Sequence, residues 1–159
     1  MRVLSAIGGG LAGAFTLTFL NEIIRRIDKD APRMDLLGMD AVSKGLNKAG
    51  QSIPDSNSLF AISLLGDMIS NTFYYSLAAA GNKNYVVPKG AILGLAGGLG
   101  ALVLPAKMGL NPRYSNKTLK TQLLTTGFYL AAGMLASLVS KAIEKKKDEE
   151  LDHHPQLWV

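Results

Sequence analysis

The sequence predicts an all-α polytopic membrane protein: a bundle of four transmembrane helices with one short interfacial helix and a polar C-terminal extension, all in a single domain over residues 1–159. Three observations carry this. Apolar residues gather into four blocks, at residues 3–24, 58–81, 87–105 and 118–142, each near the roughly 20 residues a helix needs to cross a bilayer. Charges fall in the connections and in the tail at residues 143–159. Glycines recur at four-residue spacing within the blocks, as Gly9 and Gly13 and again as Gly90, Gly94 and Gly98, a pattern that lets helix backbones approach closely in lipid.

Composition narrows the function classes. There is no cysteine, so neither a disulfide framework nor thiolate chemistry is available. The formal charge of +5 does not point to nucleic acid, because the basic residues flank the apolar blocks, where they suit contact with phospholipid headgroups. The lipid bilayer is therefore the first partner expected.

Residues 3–24 are long for the core of a secretory signal and lack a small-residue cleavage site, so they are read as a retained helix. Gly8, Gly9 and Gly10 are no phosphate loop, since no strand precedes them and no Lys-Ser/Thr follows. Gly9 and Gly13 are assigned to helix packing. Asn21, Glu22, Arg25 and Arg26 mark the water interface, with Glu22 placed to pair with either arginine at i+3 or i+4.

Proline disfavours helix in the residue before it, so Ala31-Pro32-Arg33 stops the first helix. Asp35 then caps the interfacial helix at residues 35–48. Its Leu36, Met39, Val42 and Leu46 recur at three- or four-residue spacing, and Asp40, Lys44 and Lys48 form a charged row. Too short and too charged to span, it is expected to lie along the membrane plane. Docking on a partner protein is the alternative.

Residues 58–81 carry Asp67 near their midpoint. An acid at that depth is costly, faces a protein interior or a wet cavity rather than lipid, and marks a functional-site hypothesis. Asn71 and Tyr74 follow at i+4 and i+7, so the three share one helix face. In residues 87–105, Gly90, Gly94 and Gly98 leave one face nearly free of side chains. A glycine face turned to lipid gains nothing, so this helix is expected to be the central one, level with Asp67 and offering it backbone carbonyls. Residues 118–142 place Thr125 and Thr126 near mid-depth as further hydrogen-bond partners. The candidate ion or proton site is therefore Asp67, Asn71, Tyr74, Thr125 and Thr126.

The tail passes through Lys141, Lys145, Lys146 and Lys147 into Asp148, Glu149, Glu150 and Asp152, a solvated helical extension with internal charge pairing. His153 and His154 would point in different directions on a helix and have no Cys or His companion, so no metal site is assigned. Leu157-Trp158-Val159 suits a membrane interface or a partner groove. Basic residues are more numerous beside the two long connections than on the side of the termini, which places the termini outside under the positive-inside rule.

Gly66 and Asn71 in an aromatic-bearing helix, Lys89-Gly90-Ala91 opening a helix with Gly94, Gly97 and Gly98, closure on Pro105 and Met108-Gly109-Leu110-x-Pro112, and a further helix around Gly127 resemble the plan of the YagU-like family of uncharacterised bacterial inner-membrane proteins. The resemblance covers about half the chain. It implies a bacterial inner membrane and brings no catalytic residues.

No nucleophile constellation, acid and base pair, metal set or cofactor loop stands out, so no enzyme and no cofactor are expected. The leading expectation is a structural or accessory helix bundle that self-associates or joins a larger membrane complex. The alternative is a small oligomeric proton- or cation-coupled transporter or channel using Asp67, in which four helices per copy require more than one copy to build a pathway.

Overall fold

The computed structural model describes residues 2–80 and 83–153, so the expectations for His154 and Leu157-Trp158-Val159 lie outside the described residues. Among the described residues six α-helices follow one another: α1 (Arg2–Ile27), α2 (Met34–Lys48), α3 (Ser56–Ser76), α4 (Val86–Lys107), α5 (Arg113–Asn116) and α6 (Leu119–His153). Among the described residues there is no strand. Three helices of the described residues, α1, α4 and α6, are long and apolar enough to cross a membrane. Helix α3 is 21 residues long and is not among them. The span expected at residues 58–81 drew on Leu77 to Ala80, but the α-helix ends at Ser76 and a 3-10 turn, Leu77–Ala79, follows. What remains is diluted by Ser63, Asp67, Ser70, Asn71 and Thr72.

The burial pattern is inverted relative to a water-soluble bundle. Buried positions include Ser5, Asn21, Ser63, Asn71, Thr121, Thr125, Ser137 and Ser140, whereas Ile7, Leu11, Phe15 and Phe19 on α1, Ile92, Leu95 and Leu99 on α4, and Leu123, Leu135 and Leu138 on α6 are exposed. Apolar side chains have no hydrophobic drive to leave lipid for one another, so helices there meet through the close packing of small residues and interhelical hydrogen bonds.

Helix α6 lies between α1 and α4 and packs along both, while α3 packs chiefly on α1 and carries α2 across its first half. A Cβ on Gly13 would sit 2.8 Å from Ala136 Cβ, and one on Gly94 would sit 2.6 Å from the Tyr129 carbonyl oxygen and 2.7 Å from Leu130 Cα. Gly9 lies against Ser140 and Ala136, Gly90 against Gly133 and Ser137, and Gly98 against Thr126. The glycine face of α4 is thus a contact with α6. The helix itself is peripheral rather than central: 22% of its most apolar stretch is buried, against 33% for α1 and 39% for α6. One neighbour is enough to cover a glycine stripe one residue wide, so the pattern marks a seam and not a centre.

Hydrogen bonds to backbone carbonyls lock the seams. Ser140 Oγ donates to Ser5 O at 2.9 Å, Ser76 Oγ to Ala6 O at 2.9 Å, and Tyr75 Oη to Tyr129 O at 3.1 Å. Around Tyr75, Leu17, Phe128, Ala132 and Ala136 form the buried core.

Pro105, expected to close its helix, sits inside α4. Without an N–H it cannot bond the carbonyl four residues back. That carbonyl, Ala101 O, instead accepts from Ser115 Oγ at 2.6 Å, which docks α5 against the end of α4. Helices α2 and α4 end alike. Gly50 (φ 69°) and Gly109 (φ 73°) adopt the left-handed conformation, and the following amides, Gln51 N and Leu110 N, reach back to Leu46 O and Pro105 O at 2.9 and 2.8 Å. This closing motif favours glycine.

Candidate functional site

Helix periodicity places Thr18, Asn21 and Glu22 on one face of α1 and Phe60, Ser63, Leu64 and Asp67 on one face of α3. Met34, Asp35 and Gly38 of α2 close over them. Together these residues line a cavity of about 30 Å³, space for about two water-sized occupants. Gly38 is what lets α2 lie so close, since a Cβ there would meet Ser63 Cβ at 3.3 Å.

Asp67 is partly buried, and its Oδ1 accepts from Asn71 Nδ2 at 2.9 Å. Among the described residues no lysine or arginine pairs with it. Asn21 is 7% exposed. Its Nδ2 donates to Leu17 O of its own helix at 2.9 Å, which leaves Oδ1 buried without a protein partner. An unanswered buried acceptor costs about 1–3 kcal/mol.

The two other carboxylates are neutralised. Arg25 holds Glu22 through bonds of 2.8 and 2.7 Å and approaches Asp35 at 3.4 Å. Arg33 holds Asp35 in a two-pronged pair at 2.9 and 2.7 Å. Asp35 is therefore not the cap of α2, which begins at Met34 with Arg33 as its N-cap residue. Burial alone would raise the pKa of Asp35, but the Arg33 hydrogen bonds and the charges of Arg33 and Arg25 outweigh it, and the carboxyl stays below its ordinary value.

The structure brings together only part of the set expected from sequence. Asn71 is buried beside Asp67. Tyr74 turns to α4, where its hydroxyl donates to Leu93 O at 2.7 Å, so the carbonyl expected for the acid is taken by the phenol. Thr125 Oγ1 donates to Ser115 O at 2.8 Å, and Thr126 packs on Gly98. Both threonines serve the contacts of α6 with α5 and α4. The reason is the helix order: α1 lies between α6 and much of α3, so hydroxyls matched to Asp67 in depth are directed elsewhere. Sequence reasoning missed Asn21, Thr18 and Ser63. The signal on α1 was the spacing of Thr18, Asn21 and Glu22, of which Asn21 and Glu22 stood with Arg25 and Arg26 as markers of the water interface rather than as a cavity wall.

Comparison of the chain with protein-family profiles, curated proteins and solved structures gives no match. The functional reading accordingly rests on the chain's own geometry.

Proposed function

We propose that the protein is a non-enzymatic integral membrane protein of four spans, an accessory helix bundle that associates with copies of itself or joins a larger complex. A bacterial inner membrane is the setting that the YagU-like resemblance implies. Support for α3 as the fourth span comes from its outer face, where Ile62, Leu65, Ile69 and Phe73 are exposed in one stripe that continues the apolar surface of α1. Helix α2, with no buried residue, suits the membrane plane, its Asp40 and Lys44 paired at 3.0 Å.

One observation carries the association reading. Beside the seam with α6, helix α4 leaves an open groove of about 320 Å³ floored by Ala96, Gly97, Gly100 and Ala101, with Tyr74 and Tyr129 along its walls. Small residues at an open groove offer another helix the close approach from which association in lipid draws its energy. Gly100 is the discriminating position, because a Cβ there meets only Leu104 of its own helix, at an ordinary 3.5 Å. Gly100→Leu is expected to leave the fold intact and convert an oligomer to a monomer when the mass is measured in nanodiscs. A wild-type protein that is monomeric in nanodiscs and recovers no partner from its native membrane would end this reading.

The cavity at Asp67 favours a second reading, the small oligomeric proton- or cation-coupled transporter or channel. In that case Asp67→Asn abolishes flux in proteoliposomes, since an amide cannot change charge during a cycle. Wild-type protein without proton or cation flux under any imposed gradient would exclude it.

A further inference from the structure

We propose that the cavity between α1, α2 and α3 is a binding site for a single small monovalent cation of about the size of sodium, held by Asn21 Oδ1 and the Asp67 carboxylate, with the hydroxyl oxygens of Thr18 and Ser63 completing its shell. The donors of these side chains turn to partners outside the cavity: Asn21 Nδ2 gives an N–H to Leu17 O, Thr18 Oγ1 donates to Met68 Sδ at 3.3 Å, and Ser63 Oγ to Phe60 O at 2.9 Å. Asn71, the neighbour of Asp67, also points its amide N–H inward, onto Asp67 Oδ1. What these side chains offer the cavity is oxygen lone pairs, and one of them, Asn21 Oδ1, is buried with no partner in the protein. A lining with an unanswered buried acceptor beside an unpaired carboxylate suits a species that supplies positive charge.

Charge and size select the species. Glu22 and Asp35 at the rim are offset by Arg25 and Arg33, which leaves Asp67 as the one carboxylate of the lining without a cationic partner among the described residues. One net negative charge matches a monovalent ion. A divalent ion would be undercompensated, and no cluster of three His, Cys, Asp or Glu able to hold a metal exists among the described residues. The oxygens are hard ligands suited to an alkali cation rather than a soft metal. At about 30 Å³ the space admits a sodium ion with at most one water.

The proposal names the ligand of the cavity on which the cation-coupled reading rests, but it concerns binding rather than flux, since a bound cation serves a static bundle as well. It is tested on the full chain in detergent micelles by titrating sodium chloride against choline chloride at constant ionic strength. A ligand specific to the folded state raises the unfolding midpoint with the logarithm of its concentration. The expected result is such a rise for sodium, a smaller one for potassium, and none in Asp67→Asn. That variant keeps the shape of the side chain and an oxygen for Asn71. Radioactive sodium in a scintillation proximity assay should give one site per chain, weakened at least ~10-fold in Asp67→Asn and in Asn21→Leu. Equal midpoints in sodium and choline, or tracer binding unchanged in Asp67→Asn, would overturn the proposal. A midpoint that responds to pH but to no alkali cation would overturn it as well, in favour of a proton or a water in the cavity.

Discussion

Helix α1 meets its neighbours in two different ways. Toward α6 it presents Ser5, Gly9 and Gly13, backbones come too close to admit a Cβ at either glycine, and Ser140 Oγ crosses to end on Ser5 O. Toward α2 and the first half of α3 it presents Thr18, Asn21 and Glu22, and there the contact opens into a cavity that leaves Asn21 Oδ1 unanswered. Both surfaces are small and polar, so residue type does not distinguish them. The difference lies in where the donors go. A seam whose crossing hydroxyl ends on a carbonyl of the facing helix, with glycines closing the remaining space, is complete in itself and stores its energy in packing. A surface whose donors turn back to their own helix or onto a neighbouring sulfur leaves acceptors facing a void and has capacity for a ligand.

The largest effect is expected from filling the closed seam. Gly94→Leu forces a side chain into the space of Tyr129 O and Leu130 Cα and should cost about 3 kcal/mol or more, read as loss of the cooperative thermal transition in detergent. Should the variant melt like wild type, α4 and α6 are not packed through this face. A second, milder perturbation is Ser140→Ala, which removes the hydroxyl bonded to Ser5 O. Interhelical hydrogen bonds of this kind contribute about 0.6 kcal/mol, up to about 1.7 kcal/mol. The loss should be independent of sodium, which sets it apart from any change in the cavity lining, and an Ser140→Ala midpoint that depends on sodium would erase the contrast between the two surfaces.

The smallest effect is confined to acid and to the cavity rim. Because the Asp35 pKa is held below its unfolded value, the pairing with Arg33 and Arg25 contributes fully above the unfolded value of ~3.9 and is lost as the pH falls through the lower folded value. Stability should therefore decline below about pH 4, and Asp35→Asn should flatten that limb of the profile. A decline of unchanged depth in Asp35→Asn would assign it to other carboxylates, such as Asp28, whose pKa is lowered by its hydrogen bond from Lys120 and by the amide of Asp30.

Much of the fold was legible from residue pattern. Each of the blocks at residues 3–24, 87–105 and 118–142 lies within or around a membrane-length helix, because an apolar run of that length states its own preference without reference to neighbours. The helix at residues 35–48 was visible in its three- and four-residue spacing, and it appears as Met34–Lys48. Local chemistry also foretold the pair of Glu22 with Arg25, three residues apart. Boundaries were less legible where a proline bond could be replaced from outside, as Ser115 does for Ala101 O beside Pro105.

Neighbour order belonged to the tertiary structure alone. A glycine stripe says that a backbone comes close but not whose, and α4 therefore looked central when it covers only one side of α6. The same ambiguity holds around Asp67. Depth in the bilayer follows from counting residues along a helix at 1.5 Å each, and it put Thr125, Thr126 and Asp67 at one level. Azimuth around the bundle follows from which helices touch, and it sends the threonines to Ser115 and Gly98 while bringing Asn21 and Ser63 to the acid's cavity. A sequence fixes the first coordinate of a membrane residue because helix rise is constant, whereas the second is set by packing among all the helices together.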